Sequence, residues 1–258
     1  MKKVGLIAVG LGTCFLLAGC QSLGGSSYEE KHYENDGNIQ ILEIADDNMK
    51  INVVGVSSDQ PISINYYERK NETYTFNEKS NKVSMKKNNR SSGWNIFSIF
   101  NWNTENIEMT VEVPENQLDN LMVKTENGKI LLENIAIEET NLKTTNGKLE
   151  VQDSQVDKLL KLATTNGKVE LENVKAKDVT IDTTNAKILF NDLMINNSLK
   201  AETTNGKISG TIDGNQKDFA IDSQTTNGKN SLGNTKSGSK QLKLKTTNGA
   251  IDVDFNED

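Results

Sequence analysis

The chain has 258 residues, with 29 lysines and arginines against 36 aspartates and glutamates, so its formal charge at neutral pH is −7. That acidic balance argues against nucleic acid as a partner, which calls for a net basic field. One histidine and two cysteines leave no set from which a Ser-His-Asp triad or a Cys/His metal centre could be built, and no cofactor is expected.

Lys2 and Lys3 precede an uncharged, mostly apolar run from Val4 to Leu17. The run is too short for a membrane-spanning helix, which needs about 20 residues, and suits the apolar core of a secretory signal. Leu17-Ala18-Gly19-Cys20 follows it directly. This order of apolar, small, small, cysteine resembles the bacterial lipobox, which implies a signal peptide over 1–19 and a diacylglyceryl group on Cys20. Cys14 would leave with the signal, so no disulfide is expected in the mature chain. Loss of Lys2 and Lys3 moves the formal charge from −7 to −9. The expected location is the extracytoplasmic face of the cell membrane, held there by lipid.

Residues 20–37, with Ser22, Gly24, Gly25, Ser26 and Ser27 near the start, read as the lipidated cysteine and a flexible tether. The single histidine, His32, falls in this stretch and is expected to be solvated.

Repetition dominates the rest. Thr-Thr-Asn-Gly-Lys or a near copy starts at Thr125, Thr144, Thr164, Thr183, Thr203, Thr225 and Thr246, at intervals of 19, 20, 19, 20, 22 and 21 residues. Glu126, Ala186 and Ala250 are its departures. Both flanks alternate with period two, the mark of strands with one buried face. Before the motif one inward column reads Val123, Leu142, Leu162, Ile181, Ala201, Ser223, Leu244; after it another reads Ile130, Leu149, Val169, Ile188, Ile208, Asn230, Ile251. The sixth unit, at Asn230, is expected to pack least well. Asn-Gly between alternating strands is also a hairpin signal, so a meander of antiparallel hairpins fits the same parity. A hairpin has no use for the same Thr-Thr and Lys in every copy, whereas in-register stacking turns identical residues into ladders. The predicted fold is therefore all-β, a single-domain β-solenoid of stacked coils of about 20 residues over 38–258, with the repeat array from about 121. The motif glycine is expected to need positive φ, with Ala186 the strained copy.

Upstream, alternation continues through Ile39 and Ile41, then Met49, Ile51 and Val53, then Ile62, Ile64 and Tyr66. Tyr74 and Phe76, Val83 and Met85, and Ile107, Met109, Val111 and Val113 extend it. These read as degenerate coils that start and cap the stack.

Strands ending in Val111-Glu112-Val113-Pro114, followed by serial Thr-Thr-Asn-Gly-Lys units, resemble the bacterial "putative-adhesin" domains of unknown function, also called toast-rack domains, over roughly 38–255. The resemblance implies a stacked β architecture and an exported or surface protein without a catalytic motif. Some relatives are linked to the envelope-stress response to membrane-active antibiotics.

Two features are candidate contacts. Lys129, Lys148, Lys168, Lys187, Lys207 and Lys229 would project in one column as an anion-binding edge for wall polymer or lipid phosphate, or serve only to keep the corner soluble. Trp94, Phe97, Phe100 and Trp102 lie in one segment behind Lys86, Lys87 and Arg90. That pattern fits either a cap over the stack or a contact with the membrane or a partner. A polysaccharide-acting enzyme is disfavoured, because both arginines, Arg69 and Arg90, lie outside the array; Glu150 and Glu170 read as partners for nearby lysines. The expectation is a non-catalytic scaffold or envelope-stress lipoprotein binding anionic wall polymer, lipid headgroups or surface proteins. The alternative is an adhesin for host or neighbouring cells.

Overall fold

A computed structural model describes residues 28–89 and 107–256. Its strands are, in chain order, β1 (Glu29–Asn35), β2 (Ile41–Ala45), β3 (Lys50–Val56), β4 (Ile62–Glu68), β5 (Glu72–Lys79) and β6 (Lys82–Asn89). Then come β7 (Glu108–Pro114), β8 (Asn120–Lys124), β9 (Ile130–Glu133), β10 (Ala136–Lys143), β11 (Leu149–Ala163) and β12 (Val169–Asp182). The last are β13 (Ile188–Glu202), β14 (Ile208–Asp213), β15 (Phe219–Thr225), β16 (Lys240–Thr246) and β17 (Ile251–Asn256). All join one curled sheet.

The fold is the solenoid that the repeat implies. β11 and β12 pair in parallel from Leu149↔Val169 to Ala163↔Asp182, and β12 pairs with β13 in the same way. Equivalent residues of successive coils therefore stand on adjacent rungs, which excludes the hairpin meander. In β12 the inward residues Val169, Leu171, Val174, Ala176, Val179 and Ile181 are all buried, and so are their equivalents in β11 and β13. Stacked columns of this kind make one continuous apolar core.

Four successive coils bend at the pentapeptide corner and again at an Asn or Asp with left-handed backbone: Asn134, Asp153, Asn173 and Asp192, with φ between 45° and 54°. These residues recur nine positions after Thr125, Thr144, Thr164 and Thr183, and their short polar side chains tolerate a conformation that other L residues avoid. The alternation of 19- and 20-residue intervals also has a cause. The longer coils hold their extra residue in a bulge, after Val156 in β11 and after Ile195 in β13, so the rungs on either side stay in register.

Spatial order departs from chain order at both ends. β16 and β17 pair with β13 and β14, while β15 pairs with β16. The seventh unit thus lies between the fifth and the sixth, and the sixth closes the stack. This explains the polar Asn230: its coil has an open side, and the segment after it folds back so that Thr235 exchanges backbone bonds with Ile221. At the other end β2 and β3 lie between the β6/β7 rung and β8/β9. Beyond that rung β5 pairs antiparallel with β6, β4 with β7, and β1 with β4. The reversal of direction ends the repeat and leaves a charged, twisted edge.

Two expectations are corrected here. Residues 29–35 are not tether but strand β1, because Tyr33 and Asn35 alternate inward: Tyr33 is buried and stacks on Phe76 at 4.2 Å. His32 faces outward with Nδ1 2.7 Å from Asn65 Oδ1, so it is part of the sheet. In β2 the inward residues are Leu42 and Ile44; Ile41 is only half-buried, since the loop after buried Ile39 shifts the parity by one.

Candidate functional site

The repeat corner is built from three interlocking ladders. In the first, the leading threonine is buried in most copies and its Oγ1 accepts the backbone N–H of the glycine three residues on, at 3.0 Å for Thr144–Gly147 and 3.1 Å for Thr164–Gly167. In the second, each asparagine Oδ1 accepts from the Nδ2 of the asparagine on the next rung. The series runs Asn48, Asn127, Asn146, Asn166, Asn185, Asn205, Asn248, Asn227, with spacings from 2.6 to 2.8 Å.

This ladder exposes an eighth copy of the corner, Asp46-Asp47-Asn48-Met49-Lys50, that the sequence comparison missed. Asp46 Oδ1 takes the place of the threonine hydroxyl, accepting from Asn48 N at 2.7 Å and Met49 N at 2.5 Å. The shared signal is an Asn-x-Lys preceded by two residues whose oxygens can accept. Interior rungs make two such amide bonds and end rungs one. Asn146→Ala should therefore lower stability by about 1 kcal/mol, and Asn227→Ala by less than half of that, in chemical denaturation.

The glycine is required for a reason other than the one expected. None of the corner glycines has positive φ. Instead a Cβ on Gly147 or Gly167 would overlap the backbone carbonyl of the glycine on the rung below, Gly128 or Gly147. Met49 is the first residue of this column among the described residues, and its own carbonyl is the atom that a Cβ on Gly128 would meet. Ala186 is accommodated by a loosened corner: Thr183 is half-buried and keeps the contact to the rung below, Thr165 O at 3.4 Å, that other copies also make, but without the bond from residue three on that their glycine N–H donates.

The lysine column forms the third ladder, and much of it is neutralised. Lys129 and Lys148 both reach Glu150, Lys148 and Lys168 both reach Glu170, and Lys207 meets Asp252 at 2.7 Å. Burial alone would raise the pKa values of Glu150 and Glu170. The hydrogen bonds and charges of the flanking lysines outweigh it and hold both carboxyls below their ordinary value. Lys187 and Lys229 are exposed and have no carboxylate in ion-pair range among the described residues. Cys20, Trp94, Phe97, Phe100 and Trp102 lie outside the described residues.

Two further features stand out. Asp46 and Lys87 are buried together, with Lys87 Nζ 3.5 Å from Asp46 and 3.0 Å from Glu72, and Tyr74 donating to Asp46 at 2.5 Å. Burial, then the Asp46 charge, push the Tyr74 hydroxyl above its usual pKa, so it remains a donor. Every member is satisfied, and the cluster anchors the first corner against β5 and β6. On the opposite bend, a trough of about 630 Å³ follows the left-handed residues, lined by Asn134, Asp153, Asn173 and Asp192 on one side and Gln155, Lys175 and Met194 on the other.

No curated protein matches the chain. Several solved structures resemble it, among them the following three. A "putative cell adhesion protein" from Clostridium sporogenes is 12% identical with a TM-score of 0.35, the match covering 90% of this chain and 100% of that one. A "putative adhesin" from Bacteroides fragilis is 13% identical with a TM-score of 0.45, over 89% and 98% of the two chains. A "putative adhesin" from Parabacteroides distasonis is 9% identical with a TM-score of 0.40, over 90% and 98%. The family model described as Toastrack DUF4097 matches residues 39–255, nearly the whole described fold, and the chain belongs to that family.

Proposed function

We propose that this protein is a non-catalytic surface lipoprotein, anchored through Cys20 and binding a component of its own cell envelope. The observation that carries the reading is how the polar groups are used. Corner hydroxyls bond backbone amides, corner asparagines bond one another, and most column lysines bond glutamate or aspartate. The molecule therefore presents a rigid, regular outer surface about eight coils long rather than a pocket with reactive groups in reserve. The lipobox-like Leu17-Ala18-Gly19-Cys20 supports placing that surface at a membrane.

The test is fractionation of cells expressing the whole chain or its Cys20→Ala variant, with palmitate labelling and protease added outside intact cells. The wild type should label, sediment with membranes and be cleaved from outside, and the variant should lose the label and the membrane association. A wild-type protein that stays in the cytoplasm, or a variant that fractionates identically, would overturn the proposal. Retention on foreign cells but not on the protein's own envelope would favour the adhesin alternative.

A further inference from the structure

The corner column is not where uncompensated positive charge collects. That charge lies on the flat sheet formed by the strands that precede the corners, at the N-terminal end of the stack. There the register places Lys86, Ala45, Lys124, Lys143 and Ala163 side by side on successive strands. The column two residues earlier reads Ser84, Glu43, Met122, Asn141 and Lys161. All these side chains face outward, because the intervening Met85, Ile44, Val123, Leu142 and Leu162 are buried.

Lys86, Lys124, Lys143 and Lys161 are exposed, and none has a carboxylate in ion-pair range among the described residues. The carboxylate inside the patch, Glu43, is taken by Lys82 at 2.7 Å and by Ser84 at 3.1 Å. Asp182, next to Ala163 on the far side, is shared with Lys200, and Glu126 stands at the corner beyond Lys124. In the middle is Met122, one of two large apolar side chains that the described surface exposes, at 39%.

We infer that this face is a docking surface for an anionic lipid bilayer. Lysines whose ammonium groups have no internal partner gain from phosphate-bearing headgroups. An exposed methionine between them gains from the headgroup and acyl boundary, whereas a sugar-phosphate polymer offers it nothing comparable. The position of the anchor in the chain points the same way: β1 begins nine residues after Cys20 and joins, through β4 and β7, the same end of the stack as the lysine face, on the neighbouring sheet. The choice of a bilayer rests on the membrane-anchored reading above; the lysine and methionine cluster does not.

Residues 21–258, which keep every described strand and the whole core, can be floated with vesicles of phosphatidylcholine alone or mixed with phosphatidylglycerol. Needing no lipid on Cys20, this separates the surface from the anchor tested by fractionation. Binding should require phosphatidylglycerol and weaken with salt. Each lysine changed to glutamine should lower affinity about fivefold, and Lys124→Gln/Lys143→Gln/Lys161→Gln together about a hundredfold. Lys129→Gln/Lys148→Gln/Lys168→Gln should change it little. Met122→Ser should weaken binding with no change in salt dependence, and this variant and those of Lys124, Lys143 and Lys161 should keep the wild-type melting profile. The inference is overturned if the wild type fails to float, binds both vesicle types equally, binds soluble wall teichoic acid in preference to vesicles, or loses affinity equally with the two lysine sets.

Discussion

Gly167→Val should destabilise the protein by about 3–5 kcal/mol in chemical denaturation, far more than a substitution at an exposed corner ordinarily costs. The new Cβ would overlap the carbonyl of Gly147, a backbone atom that cannot rotate away. The two rungs would have to part, and with them the amide bond from Asn166 to Asn146. Overpacking of a rigid interior normally costs about 1–3 kcal/mol, and the broken ladder adds to it. Ala186 sets the lower limit, since the chain already holds one extra methyl group at this position by loosening its threonine. Gly167→Ala should accordingly cost less than Gly167→Val. Equal stability of Gly167→Val and wild type would show that the rungs are not in backbone contact.

Ending the chain at Ser239 should unfold two units, not one. In a solenoid stacked in chain order, loss of β16 and β17 would strip the last coil and leave the sixth paired with the fifth. Here β15 pairs with β16 alone, so its partner disappears and β13 and β14 are left with an open edge. Leu242, Leu244, Ile251 and Val253 are buried, and burial of each contributes about 1.5–3 kcal/mol, on the order of 10 kcal/mol in all. That is comparable to the stability of a whole domain. The sixth coil is a poor substitute for the seventh, because it would set Ser223 and Asn230 where Leu244 and Ile251 now pack. Hydrogen exchange should show residues 219–232 unprotected in the truncated chain, and aggregation should increase through the exposed edge. Full protection of 219–232 would mean that the coils follow chain order after all.

The parts of the fold that could be read in advance share one property: they follow from identical residues recurring at a fixed interval. The inward columns around each Thr-Thr-Asn-Gly-Lys, the parallel stacking, the asparagine ladder and the service of Glu150 and Glu170 to the lysines all come from placing like on like. What escaped notice broke that identity while keeping its chemistry. Asp46-Asp47-Asn48-Met49-Lys50 hides the eighth corner because carboxylate oxygen replaces hydroxyl oxygen and methionine stands where the other copies have glycine or alanine. The second bend was spread over Asn134, Asp153, Asn173 and Asp192, two residue types that serve one backbone conformation. Strand β1 was concealed by charged residues, which on a strand with one solvated face are no sign of a linker.

The sequence by itself determined the coil: its length, its inward face, its corner and the in-register stacking that makes a solenoid. The tertiary structure decided which coil lies beside which, why the corner takes glycine, and where the lysines remain free. The physical reason is the range of each cause. Alternation and turn chemistry act within a coil and are written in consecutive residues. Neighbour choice, carbonyl overlap between rungs and ion pairing arise between coils, from 19 to 79 residues apart along the ladder, and exist only once the chain has been wound.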